Sequence, residues 1–148
     1  MQLVPYLNFV GTASEALELY TKAFGGKVEE VHLYSENEEL CKQLPVDWHT
    51  KIMHATFKAP DLVLMVSDVM DEGEHCCSVP KIVPSGSPIS LSLDFKSAEE
   101  QQRVFDVLAE NARKIIMPLQ DTFWGARFGI LADSFGIRWM FNYDKPSA

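Results

Sequence analysis

The stretch QDTFWGARFGILADSFGIRWMFN, Gln120 to Asn142, decides the fold. It reads as two strands joined by a turn. Trp124 to Leu131 alternates loosely between apolar and polar residues. Asp133-Ser134-Phe135-Gly136 has turn chemistry, with Gly136 suited to a positive φ. Ile137 to Tyr143 alternates strictly: Ile137, Trp139 and Phe141 share one face, and Arg138, Met140 and Asn142 share the other. A hairpin with one apolar face needs a sheet to join and a layer to cover that face.

The residues upstream supply both. Ile115 to Leu119 reads as a strand. Before it, Gln101, Val104, Phe105 and Leu108 form a helical stripe that starts at a capping box, Ser97-Ala98-Glu99-Glu100, and stops near Asn111. Pro88 to Phe95 reads as the strand that leads in. The same order occurs nearer the N-terminus. Leu3 to Val10 is an apolar strand, and Thr12-Ala13-Ser14-Glu15 matches a capping box. Ala13, Ala16, Leu17, Tyr20, Ala23 and Phe24 follow at helical spacing, and Gly25-Gly26 ends the helix. Strands are expected over Lys27 to Tyr34, Ile52 to Lys58 and Leu62 to Ser67, with Ala59-Pro60-Asp61 as a hairpin turn. Ser35 to Thr50 reads as a loop with a turn of helix at most. The chain thus divides into a βαβββ module over 1–68, a linker over 69–87 and a second βαβββ module over 88–148. Together they make a single α+β domain built on an internal repeat.

Composition narrows the function. The 148 residues carry a net charge of −8, which suits a soluble protein and disfavours nucleic acid as a partner. No apolar run is long enough to cross a bilayer, and the first residues resemble neither a secretory nor a transit peptide, so a cytoplasmic protein without a membrane partner is expected. The three cysteines, Cys41, Cys76 and Cys77, lack disulfide-framework or zinc-knuckle spacing and read as free thiols.

Three segments resemble a known family: PYLNFVGTASEALELYTKAFGG (Pro5 to Gly26), LMVSD (Leu64 to Asp68) and MPLQDTFWGARFGILADSFGIRWMFN (Met117 to Asn142). They resemble the PhnB-like branch of the vicinal oxygen chelate superfamily, which includes glyoxalase I, extradiol dioxygenases and bleomycin-resistance proteins. The resemblance implies paired βαβββ modules in a cupped mixed sheet with helices outside, a small-molecule site in the cup, and a homodimer. PhnB-like proteins are often labelled methyltransferases, yet no glycine-rich nucleotide loop follows the first strand. In metal-binding members four ligands come from the first and last strands of each module. Carried over, those positions are Pro5, Met65, Pro88 and Met140. Proline offers no side-chain ligand atom, and a thioether is a soft ligand unsuited to the divalent ions of the metal-dependent relatives. Neither a metal site nor another cofactor is expected.

Candidate ligand-binding residues are His54, Met65, Gln120, Trp124, Arg138, Met140 and Asn142. His54, predicted on the face away from the helix with Thr56, reads as a base or hydrogen-bond partner, or as an ordinary strand histidine. Trp124 reads as a stacking surface for a planar ligand or as an interface anchor. Arg138 and Asn142 suit an anionic or carbonyl group, or solvent. Gln120 orients a ligand or shapes the turn. Asn8 is expected on the helix side. Trp48-His49 reads as a lid or a surface loop, and Cys76-Cys77 beside His75 as unreactive thiols. The expected function is metal-independent binding of a small, partly apolar molecule. The alternative is an enzyme, of lyase, isomerase or dioxygenase type, acting on a small carbonyl or aromatic substrate.

Overall fold

The computed structural model describes residues 1–70 and 89–147. The chain divides into two compact units, Met1–Lys81 and Ile82–Ala148. Pro88, His75, Cys76, Cys77 and nearly all of the 69–87 segment lie outside the described residues.

In the first unit β1 (Tyr6–Phe9) leads to α1 (Ala13–Phe24), then β2 (Lys27–Leu33), β3 (Ile52–Ala59) and β4 (Leu62–Asp68). The sheet order is β1-β4-β3-β2, with β1 parallel to β4 and the other pairs antiparallel. The helical stripe is where its spacing predicts: Ala13, Ala16, Leu17, Tyr20 and Ala23 are buried. They pack with Leu7, Phe9, Ala55, Phe57, Leu64 and Val66 to form the core. Gly25 takes the left-handed conformation at φ 71°, and its N–H closes the helix on the Thr21 carbonyl. Gly26 comes next because the chain passes against β3; a Cβ there would lie 2.2 Å from the Lys58 carbonyl oxygen.

The start of α1 departs from the expected capping box. Thr12 has φ −117° and ψ 17°, and its hydroxyl makes no cap bond. That backbone is not the extended one that aims a capping hydroxyl at the free amides. The buried carboxylate of Asp68, at the end of β4, takes over: Oδ1 accepts from Ala13 N at 2.9 Å and Oδ2 from Ile52 N at 2.9 Å. Asn8 also departs from expectation. It is exposed on the face of Tyr6, while Leu7 and Phe9 turn to the helix, and its Oδ1 accepts from Ser67 Oγ at 3.0 Å.

The segment between β2 and β3 is more ordered than a plain loop. It holds α2 (Glu38–Cys41) between two single 3₁₀ turns, Tyr34–Glu36 and Val46–Trp48. The Trp48-His49 pair is tied down: His49 Nε2 lies 2.9 Å from the Cys41 carbonyl oxygen, and Trp48 meets Tyr34 edge-on. Cys41 is a free thiol.

The second unit repeats the plan. β5 (Leu91–Asp94), α3 (Ala98–Ala109), β6 (Lys114–Asp121), β7 (Ala126–Ala132) and β8 (Arg138–Asp144) give the order β5-β8-β7-β6, again with one parallel pair. Here the capping hydroxyl works: Ser97 is extended and accepts from Glu100 N. Gln101, Val104, Phe105 and Leu108 are buried against Trp139, Phe141 and Leu131. Phe105 meets Phe141 edge to face at 5.0 Å. Two boundaries differ from the reading of the sequence. β5 begins at Leu91, leaving Ile89 exposed, and Trp124 lies in the turn before β7; the helix ends at Ala109 with Glu110 as its cap, so Asn111 follows the stop as expected.

The Asp133–Gly136 turn is organised by one buried carboxylate. Asp133 Oδ1 accepts from Phe135 N and Ile137 N, and Oδ2 accepts from Trp139 Nε1 at 2.9 Å. Gly136 sits at φ 89° as its place in the turn requires. Among the described residues the architecture is α+β: two open four-stranded mixed sheets and three helices, one βαβββ arrangement in each unit. The strands at one side of each sheet are irregular. β2 shifts register around His32, with Glu30 at φ 52°, and β6 shifts register twice around Met117.

Candidate functional sites on the open sheet faces

In each unit the helix covers one face of the sheet, so alternation sends every second side chain to the other face. On the first unit's open face, register aligns Tyr6, Met65, Thr56 and Glu29 in one row across all four strands. Asn8 pairs with Ser67, and His32 with His54. Tyr6 and His54 lie two strands apart, and their side chains join over β4, with Tyr6 Oη 3.0 Å from His54 Nδ1. The rings are tilted at 42° with centroids 5.7 Å apart. His54 Nε2 lies 3.5 Å from Thr56 Oγ1, a long contact beneath the pair. Tyr6 is 45% exposed and Thr56 only 4%, so the chain of polar groups runs from the surface inward.

The imidazole tautomer sets what this chain offers a ligand. With the proton on Nε2, Nδ1 accepts from the Tyr6 hydroxyl. With the proton on Nδ1, Tyr6 Oη accepts and turns its own O–H outward. Either way a phenol–imidazole pair presents one donor or acceptor beside the Met65 thioether. Further along the face, Glu29 is held between Lys58 Nζ at 2.9 Å and Lys27 Nζ at 3.5 Å. The hydrogen bond and charge of Lys58 pull the Glu29 carboxyl below its ordinary range, and Glu29 in turn raises Lys58. Glu36 is also lowered, first by the Leu33 N–H it accepts and then by His32.

The open face of the second unit has three rows. Lys114, Ala132 and Arg138 form the first. Met117, Ile130, Met140 and Ser92 form the second, and Gln120, Phe128, Asn142 and Asp94 the third. Asn142 Nδ2 donates to Asp94 Oδ1 at 3.2 Å. Gln120, Arg138, Met140 and Asn142 therefore share one face, while His54 and Met65 share the other unit's face. Trp124 is on neither; it is 62% exposed in the β6–β7 turn, edge-on to Phe123.

Reading the sequence missed Tyr6, Asn8 and Ser67 as members of the first unit's face. Strict alternation along β1 was the available signal, but only the parallel pairing of β1 with β4 brings Tyr6 beside Met65. A separate groove of about 520 Å³ runs between α1 and β2, lined by Leu17, Val28, Val31 and Ile52. It lies on the helix side and is mainly apolar.

Three of the positions that the resemblance assigns to metal ligands, Pro5, Met65 and Met140, lie among the described residues. Met65 and Met140 present thioethers, and Pro5 donates no side-chain atom; its carbonyl accepts from Met65 N. Among the described residues no group of three or more His, Cys, Asp or Glu gathers.

The family model for the glyoxalase/bleomycin resistance protein/dioxygenase superfamily matches residues 2–141. Protein YjdN of Escherichia coli K12 is 34% identical over 152 residues, covering 98% of this chain and 97% of YjdN. Protein PA1353 from Pseudomonas aeruginosa is 35% identical with a TM-score of 0.74, covering 99% of both chains. The PhnB protein of Bacillus cereus is 26% identical with a TM-score of 0.73, covering 97% of this chain and 99% of its own. A family model spanning most of the chain, relatives of matching length and structural neighbours that superpose over nearly all of it lead to one assignment: the chain belongs to the glyoxalase/bleomycin resistance/dioxygenase superfamily, among its PhnB-like members.

Proposed function

We propose that the protein is a metal-independent, cytoplasmic, small-molecule-binding member of its superfamily, one domain made of two βαβββ modules and acting as a homodimer. The observation that carries this reading is the donor set on the open faces. Met65 and Met140, to which the family resemblance assigns metal-ligand positions, carry soft thioethers, and a Tyr6–His54 hydrogen bond lies beside Met65. Such a face mixes apolar surface with a few directed polar groups, as small-molecule sites do. His54, Met65 and Tyr6 would contact a ligand on one unit, and Gln120, Arg138, Met140 and Asn142 on the other; Trp124 is a candidate stacking residue.

The test has two arms. Purified protein incubated with Zn²⁺, Ni²⁺, Mn²⁺ and Fe²⁺ and desalted should retain no stoichiometric metal by plasma mass spectrometry. A thermal-shift screen of aromatic and amphipathic molecules should give ligands whose stabilisation grows with concentration, by about 2.7 kcal/mol at a hundredfold excess over Kd. Stoichiometric metal, or no ligand in the screen, would overturn the reading.

The 3.0 Å Tyr6–His54 contact also favours a second reading, an enzyme in which the pair polarises a carbonyl or moves a proton. Turnover of a bound carbonyl compound, lost in a folded His54→Ala variant, would decide for it.

A further inference from the structure

We infer that the open face of the second unit is built for an amphipathic carboxylate, with its anionic head at Lys114 and Arg138 and its apolar body over Ile130 and Met140. The inference rests on the small-molecule-binding reading and adds the ligand's chemical class and orientation.

The first row carries the head. Lys114 and Arg138 flank Ala132 across three adjacent strands, so two cations face each other over the smallest side chain of the row. No salt bridge among the described residues takes up either cation. Arg138 is half-buried, and its Nε is buried with no hydrogen-bond partner among the described residues. An unmatched buried donor on a cation is costly, and a carboxylate relieves that cost with a charge-assisted hydrogen bond. Ala132 leaves room above the sheet between the two long side chains.

The second row carries the body. Met117, Ile130 and Met140 lie side by side and half-buried, one step of roughly 7 Å along the strands from the first row. The third row sets the orientation. Asp94 lies in it and Asp144 just beyond, both meeting Asn142 Nδ2, about 13 Å along β8 from the cationic row. Negative charge at that end repels a carboxylate, so the head has one favourable end. The fit is to an unbranched or aromatic acid of about eight carbons, which spans the step from the cations across the apolar row.

The probes are octanoate and octanamide, which have the same body with and without charge. Isothermal titration of the full-length protein should show octanoate binding roughly tenfold or more tightly than octanamide, the scale expected of a charged hydrogen bond. Arg138→Gln and Lys114→Gln should each remove most of that preference, weakening octanoate far more than octanamide. A wild-type circular dichroism spectrum and urea midpoint show that each variant is folded. Equal affinity for the two probes overturns the inference but leaves the binding reading intact. Octanoate binding that survives Arg138→Gln does the same. If neither probe binds, the inference also falls, and the ligand screen above decides the broader reading separately.

Discussion

Replacing Asp133 with alanine tests whether one carboxylate holds the last hairpin in place. The side chain is fully buried and accepts three hydrogen bonds. Removing it strands the indole N–H of Trp139, which is itself fully buried, at a cost of about 1–3 kcal/mol. Phe135 N and Ile137 N lie in a half-exposed turn where water can replace part of the loss, so each contributes about 0.5–1.5 kcal/mol net. The total is about 4 kcal/mol, a large share of the roughly 5–15 kcal/mol that holds a typical domain together. Asp133→Asn separates the contributions. An amide keeps one oxygen for the two turn N–H groups but then points its NH₂ at the Trp139 N–H, so about 2 kcal/mol should remain lost. Trp139→Phe should therefore cost less when combined with Asp133→Asn than in the wild type, because it removes one of two opposed donors. Urea unfolding followed by far-ultraviolet circular dichroism reads each change as a shift in midpoint at constant slope. An Asp133→Ala loss under about 1 kcal/mol, or an Asp133→Asn variant as stable as the wild type, would refute the reasoning.

Two further outcomes follow from the first unit. Gly26→Ala places a methyl 2.2 Å from the Lys58 carbonyl oxygen, and backbone cannot swing aside as a side chain can, so a loss of at least about 2 kcal/mol is expected in thermal melts. Glu29, watched by NMR as pH falls, should titrate below the ordinary carboxylate range and move back up in Lys58→Met. Its folded-state value is depressed, so the small stability the pair adds is present above the unfolded value and is lost as pH drops through the folded one.

What could be read from the sequence was local, or periodic over one element. The Asp133–Gly136 turn, the stripe on each helix and the alternation of Ile137 to Tyr143 need only neighbours within a few residues, and all three are as predicted. Asp68 shows the limit. Its partner Ala13 is 55 residues away, so the sequence suggested the adjacent Thr12 hydroxyl as the cap. The candidate site shows the same limit. His54 was placed correctly by alternation on its strand, but Tyr6, 48 residues earlier, joins it only through the parallel pairing of β1 with β4. Lys114 escaped notice for another reason: two register shifts in β6 bring residues three apart, Lys114, Met117 and Gln120, opposite residues two apart on β7. No period of two or 3.6 announces such a row.

The irregular strands β2 and β6 bear on self-assembly. Each ends its sheet, and an end strand leaves a line of unpaired peptide groups that can template the addition of a foreign strand and seed fibrils. On β2 the register shifts and the left-handed Glu30 break that line within a run bearing Lys27, Glu29 and Glu30. On β6, Pro118 lacks an amide proton within the second of two further shifts. The distortions that space the side chains on the open faces thus also make poor templates, and a variant that straightened β6, such as Pro118→Val, would trade solubility for a continuous edge.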